Sequence, residues 1–153
     1  MGGGGLLSRN ASVAPATYNW NILIQPYCDG DSFSGNLDAP LVVNGKPLYM
    51  RGHRIKQYVI EQVLPQSTTL LKSPTSWNDA TDVLLTGCSA GGLSTYLHAN
   101  YVQQHLPTSV KSYRVAPISG FFMDIDNVLG SAVYMNEMRT VFYMQNASAG
   151  VDQ

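Results

Sequence analysis

The residues Gly87-Cys88-Ser89-Ala90-Gly91 fit the pattern G-x-S-x-G. That pattern marks a serine held at a sharp turn between a strand and a helix, where its hydroxyl can act as a nucleophile. Such a turn is strained, so its neighbours must be small enough for the backbone to fold back and for the next helix to pack closely. Gly87, Ala90, Gly91 and Gly92 meet that need. The chemistry this predicts is ester cleavage. Ser89 would attack an acyl carbonyl, and the backbone N–H of Ala90 would donate to the oxyanion that forms. The start of the helix adds a partial positive charge at the same place.

The same residues admit other readings. A tight glycine turn without catalysis is one. A phosphate loop is another, because Gly87 to Gly92 has G-x-x-x-x-G spacing and Ser94 stands at the magnesium-binding position. Leu93 occupies the place of the essential lysine, which removes ATP from consideration. Cys88 precedes the apex of the turn and is expected to point into the sheet as a buried thiol, as free cysteines often are.

A serine nucleophile needs a base, which in this architecture follows the order serine, acid, histidine. The three histidines are His53, before the elbow, and His98 and His105, on the helix directly after it. All three precede the next acids, Asp124 and Asp126, which read as caps for the last helix. Read by itself, the chain presents half an active site.

The elements that would position Ser89 follow from periodicity. Residues 82–86 are a short apolar run bounded by glycine, the pattern of a buried central strand. Leu93, Tyr96, Leu97 and Tyr101 mark one face of a helix that Pro107 closes. Residues 110–115 predict another strand, and Tyr134, Met138, Val141 and Phe142 a final helix. Upstream, residues 18–27 are rich in β-branched and aromatic types and predict a strand weakened by Pro26. Residues 31–40 predict a loop, and Asn44-Gly45 between apolar runs predicts a hairpin. Ile55, Tyr58, Val59 and Val63 predict a helix ended by Pro65, and residues 66–79 a long surface connection. Strand and helix alternating in this way predict an α/β domain with a parallel sheet. The glycines at positions 2–5 predict a flexible lead-in. They fit neither a dinucleotide loop nor a myristoylation signal.

Composition narrows the function classes. Of 153 residues, 12% are charged, half the average of roughly 25% for soluble domains, and 44% are hydrophobic, which predicts a folded chain. Nine basic residues nearly cancel ten acidic ones, for a net charge of −1, so no basic surface is built for nucleic acid. No apolar run is long enough to span a membrane, and the N-terminus has no charged head followed by an apolar stretch. These features predict no membrane span and no export signal in the sequence as read. Cys28 and Cys88 permit one disulfide and are too few for a cysteine-based zinc site, so no metal is expected.

Several stretches in order resemble the pectin acetylesterase family, which is related to the Notum-type carboxylesterases. They are Tyr18-Asn19-Trp20-Asn21 leading to Tyr27-Cys28-Asp29-Gly30 and Ser32-Phe33-Ser34-Gly35, then Arg51-Gly52 with Arg54-Ile55. Thr86 to Leu93 follows, with Leu97-His98 after it and Gly120-Phe121-Phe122-Met123-Asp124 beyond. Gly5-Leu6-Leu7-Ser8 also resembles the family's Gly-Ile-Leu-Ser segment. The likeness therefore spans nearly the whole chain.

The resemblance implies an α/β-hydrolase-like parallel sheet with flanking helices, incomplete at both ends, with residues 1–153 as the central part of the domain. It carries over Ser89 as nucleophile and the Ala90 amide as oxyanion donor. The family's glycine-rich oxyanion loop would lie upstream and its catalytic Asp and His downstream. It implies a serine carboxylesterase removing O-acetyl groups from pectin, or acting on another O-acyl ester, with no cofactor. A Notum-like lipid-ester hydrolase and a non-catalytic polysaccharide-binding or interaction protein are the alternatives. An extracellular or cell-wall location is implied, with which the glycosylation sequons Asn10-Ala11-Ser12 and Asn146-Ala147-Ser148 are consistent.

The chain departs from the family pattern in places. Ile118 stands where the family usually has Asp. The family's Leu-His-Cys-Asp is Leu97-His98-Ala99-Asn100 here, and Ser112 replaces another common cysteine. The paired absence implies the loss of a cross-link, since losing one partner alone would leave an odd thiol.

Overall fold

The computed structural model describes residues 4–151, so the lead-in at positions 2 and 3 lies outside the described residues. A 3-10 turn at Gly5–Leu7, where the flexible lead-in is expected to end, is the first element, and a short antiparallel hairpin follows, with β1 at Leu41–Val43 and β2 at Lys46–Leu48. Its two-residue turn is Asn44-Gly45, both left-handed at φ 50° and 74°. That pair of positive angles matches the right-handed twist of the flanking strands, which is why Asn-Gly predicts the turn.

Helix α1, Gly52–Tyr58, runs on into a wider turn at Val59–Val63, where the Leu64 N–H reaches back five residues to the Val59 carbonyl at 2.9 Å. The expected helix is present, with a π-type bulge the apolar spacing did not foretell. The expected surface connection holds a one-turn helix α2, Ser67–Leu70, and a 3-10 turn at Trp77–Asp79 capped by the Ser76 hydroxyl.

The frame of the site is a β-α-β unit. Strand β3, Asp82–Cys88, feeds helix α3, Ala90–Gln104, and the chain returns as β4, Ser112–Ile118. The two strands pair in parallel from Asp82 opposite Ser112 to Cys88 opposite Ile118. Helix α4, Val133–Met144, closes the sequence of elements as expected. The architecture is α/β, with a parallel sheet flanked by helices.

Three expectations fail, each for a physical reason. Residues 18–27 form turns to position 20 and then an irregular, unpaired path, with Leu23, Ile24 and Tyr27 exposed. A β-rich composition makes a strand only where a partner ladder receives its backbone groups, and among the described residues none does. Asp124 and Asp126 do not cap α4, which starts at Val133 after Ala132; both lie in the exposed stretch before it. Cys88 is exposed, because at the outgoing end of β3 no described element covers it.

The buried face of α3 also differs from the apolar stripe expected. Gly92, Thr95, His98 and Val102 face inward, and Tyr96 faces solvent. This face is small and polar because it meets backbone. A Cβ on Gly92 would stand 2.5 Å from the Ile118 carbonyl oxygen and 2.8 Å from the Gly120 Cα. Thr95 returns its hydroxyl to the Gly91 carbonyl at 2.8 Å. Tyr113 on β4 donates to the Ala99 carbonyl at 2.9 Å, holding the middle of the helix to the sheet.

Candidate active site

Ser89 sits between β3 and α3 with φ 56° and ψ −119°, a conformation that L residues avoid. Strain of this kind persists only where the surroundings over-determine it. Here several contacts do so. The Ser89 N–H donates to the Ile118 carbonyl at 3.0 Å, tying the turn to the last residue of β4. Its carbonyl accepts the Leu93 N–H at 3.0 Å and so begins the helix. Three residues before Ser89, Thr86 donates its hydroxyl to the carbonyl of its β4 partner Ala116 at 2.7 Å, which steadies the end of the ladder.

The glycines of the motif divide by role. A Cβ on Gly87 would overlap the Gly91 carbonyl, and one on Gly120 would overlap the Gly92 backbone. Gly91 has nothing within 4 Å of the same position. Gly87, Gly92 and Gly120 are therefore steric necessities of the turn and of its packing on β4, and Gly91 is not.

A serine preceding a helix ordinarily turns its oxygen onto the first amides as a cap. Ser89 makes no such bond, and the residue is exposed. Its hydroxyl is displayed, and the amide of Ala90 occupies the first helical position, where a helix has no carbonyl of its own to offer. The arrangement puts an exposed hydroxyl and a helix-terminal amide on consecutive residues.

The structure ties the three histidines to other parts of the chain. His53 Nδ1 meets the Gly150 carbonyl at 2.8 Å. His105 stacks on Tyr101 with ring centroids 4.2 Å apart and faces Glu61 at 3.7 Å. His98 is buried, with Nδ1 2.9 Å from Lys56 Nζ and Nε2 3.3 Å from the Ser32 carbonyl. A carbonyl only accepts, so the contact with Ser32 assigns the ring hydrogen to Nε2 and leaves Nδ1 as the acceptor toward Lys56. The sequence places His98 on the helix after the elbow but does not show this junction of α3, α1 and the loop at 29–35. Its partners lie 42 and 66 residues away, and no local signal announces them.

A cavity of about 440 Å³ lies between Gln103, Leu106, Pro107, Val110, Lys111 and Tyr113. These residues stand at the end of α3 and the start of β4, opposite the end that carries Ser89. Open parallel sheets bind ligands beyond the carboxyl ends of their strands, where the elbow is. Among the described residues no group of three or more His, Cys, Asp or Glu is placed to hold a metal, and no helix is long and apolar enough to cross a membrane.

A strand, a strained serine turn and a helix returning to a parallel strand define an α/β-hydrolase-like unit. The chain belongs to the pectinacetylesterase family, whose model matches residues 1–153. It is 34% identical over 149 residues to pectin acetylesterase 5 of Arabidopsis thaliana, covering 97% of this chain and 32% of that protein. It is 29% identical over 138 residues to the palmitoleoyl-protein carboxylesterase NOTUM of Drosophila melanogaster, covering 88% of this chain and 20% of that one. The structure of the Wnt deacylase Notum from Drosophila matches with a TM-score of 0.71 at 26% identity, over 94% of this chain and 40% of that chain. The chain thus spans about a third of the length of its plant relatives.

Proposed function

We propose that this chain carries the nucleophile of a serine carboxylesterase that removes O-acetyl groups from pectin in the cell wall. The observation that carries the reading is Ser89 at φ 56° and ψ −119°, exposed and not capping its own helix, in a member of the pectinacetylesterase family. Ser89 Oγ attacks the acetyl carbonyl, the Ala90 N–H receives the oxyanion, and the sugar hydroxyl departs. Water then cleaves the acyl-serine and releases acetate.

The acid and base of this reaction belong to the part of the relatives' length that this chain does not span. The engagement of His53, His98 and His105 elsewhere supports that assignment. Nothing in the chemistry calls for a metal or organic cofactor. The nearly neutral charge provides no excess of basic residues for a nucleic-acid partner.

The likeness to Notum supports a second substrate class, a lipid ester. The two are separated by assaying the full-length protein on acetylated pectin and on a fatty-acylated serine peptide. Acetate release from pectin that is abolished in Ser89→Ala supports the proposal. Release of fatty acid alone transfers the site to lipid esters, and saturable pectin binding without either product makes the chain a binding module.

A further inference from the structure

Two sequons, Asn10-Ala11-Ser12 and Asn146-Ala147-Ser148, differ in how the asparagine side-chain nitrogen is used. We propose that Asn10 is an N-glycosylation site of this protein and that Asn146 is not. The inference rests on the cell-wall location proposed above, which requires passage through the secretory route.

At Asn10 the backbone turn is complete without the side-chain nitrogen. Asn10 Oδ1 accepts the Ser12 N–H at 2.9 Å, and the Asn10 carbonyl accepts the N–H groups of Val13 and Ala14, each at 2.9 Å. The Asn10 N–H is itself satisfied by the Ser8 hydroxyl at 3.1 Å. These bonds fix the side chain through its oxygen and leave Nδ2 without a hydrogen-bond partner among the described residues. Asn10, Ala11 and Ser12 are all exposed. A sugar on this nitrogen displaces no internal bond and enters solvent directly.

At Asn146 the nitrogen is in use. Nδ2 donates to the Asn36 carbonyl at 3.3 Å, and the Asn36 N–H donates to the Gln145 carbonyl at 2.9 Å. Asn36 also reaches the Ala149 carbonyl at 3.3 Å through its own Nδ2. Asn146 and Ser148 are exposed, as Asn10 and Ser12 are, but Asn146 is left-handed, at φ 52° and ψ 43°, between Gln145 and Ala147, which are 3% and 1% exposed. This knot joins the end of α4 to the segment at residue 36, and a glycan planted in it competes with the contacts that close it.

The reaction joins Asn10 Nδ2 to C1 of the first sugar of a lipid-pyrophosphate-linked oligosaccharide. The C1–oxygen bond to the pyrophosphate breaks, the lipid pyrophosphate departs with the bonding pair, and the amide proton goes to base. The Ser12 hydroxyl completes the acceptor motif.

The test is secretion of the protein from a eukaryotic host, followed by enzymatic deglycosylation and peptide mass mapping. One glycan mapped to Asn10 is expected, lost in Asn10→Gln and in Ser12→Ala, retained in Ser12→Thr and unchanged in Asn146→Gln. Ser12→Ala keeps the backbone turn, so loss of the glycan there is not a folding defect. A glycan at Asn146, or none at Asn10 in protein shown to have entered the secretory route behind a heterologous leader, overturns the proposal. Glycosylation of Asn10 only behind that leader, with the native precursor retained in the cytosol, leaves the site standing and overturns the cell-wall location.

Discussion

Gly87 and Gly91 lie so close across the elbow that a Cβ on Gly87 would overlap the Gly91 carbonyl, whereas a Cβ on Gly91 would meet nothing within 4 Å. The overlap involves backbone, which cannot swing aside as a side-chain tip can. Gly87→Ala is expected to lower stability by about 1–3 kcal/mol, the usual cost of overpacking. Gly91→Ala is expected to be neutral or to stabilise by up to about 1 kcal/mol, because alanine favours the helix. Urea denaturation of the two variants measures the contrast.

The His98 junction supports a second prediction. His98→Ala removes the ring that bridges Lys56 and the Ser32 carbonyl and is expected to cost about 1–3 kcal/mol. His105, exposed at the end of α3, is the control, and its alanine variant is expected to stay within about 0.5 kcal/mol of the parent. Thermal denaturation of the two variants at one pH distinguishes them.

Asp31 gives a pH dependence with a definite sign. Burial pushes its carboxyl above the ordinary 3.8; the Ser34 hydrogen bond opposes this and the Asp29 charge adds to it. Its Oδ2 is buried without a hydrogen-bond partner. The folded state therefore holds this proton more tightly than the unfolded chain does. The contribution of Asp31 to stability is full below pH 3.8 and is lost as pH rises through the raised folded value. Asp31→Asn is expected to flatten that decline and to raise stability at neutral pH. Denaturation midpoints of parent and variant across this range check it, and identical profiles would contradict it.

The sheet supports a prediction about association. Among the described residues β3 and β4 have no other strand neighbours, and Val115 and Ile118 on β4 are exposed. Unpaired edges and open apolar faces recruit further strands. Residues 1–153 produced alone are expected to self-associate with rising concentration in sedimentation experiments, and a clean monomer throughout would count against this. The same residues alone are expected to hydrolyse aryl acetates poorly, by several orders of magnitude relative to an enzyme with a complete triad, because triad members act as a unit.

How much was legible beforehand depended on the range of the interactions. The Asn44-Gly45 hairpin and the Ser89 elbow were readable because each is set by backbone angles that few residues adopt, within four or five positions. The order of β3, α3 and β4 followed from hydrophobic runs of ordinary length. Residues 18–27 misled because side-chain type indicates what a strand tolerates and does not supply a partner. Cys88 misled for a related reason, since burial at a strand end depends on what another element covers. The polar inner face of α3 was hidden because its partners, the Gly120 backbone and the Ser32 loop, are distant in sequence and meet it through main-chain atoms.

The central claim is that the displayed hydroxyl of Ser89 carries the acyl group. Acid-quenching the full-length protein during turnover of acetylated pectin, then mass mapping its peptides, measures this directly. One acetyl group on the peptide containing Ser89 is predicted, absent in Ser89→Ala together with acetate release. Undiminished acetate release by Ser89→Ala, or an acetyl group mapped to Cys88 instead, would contradict the account.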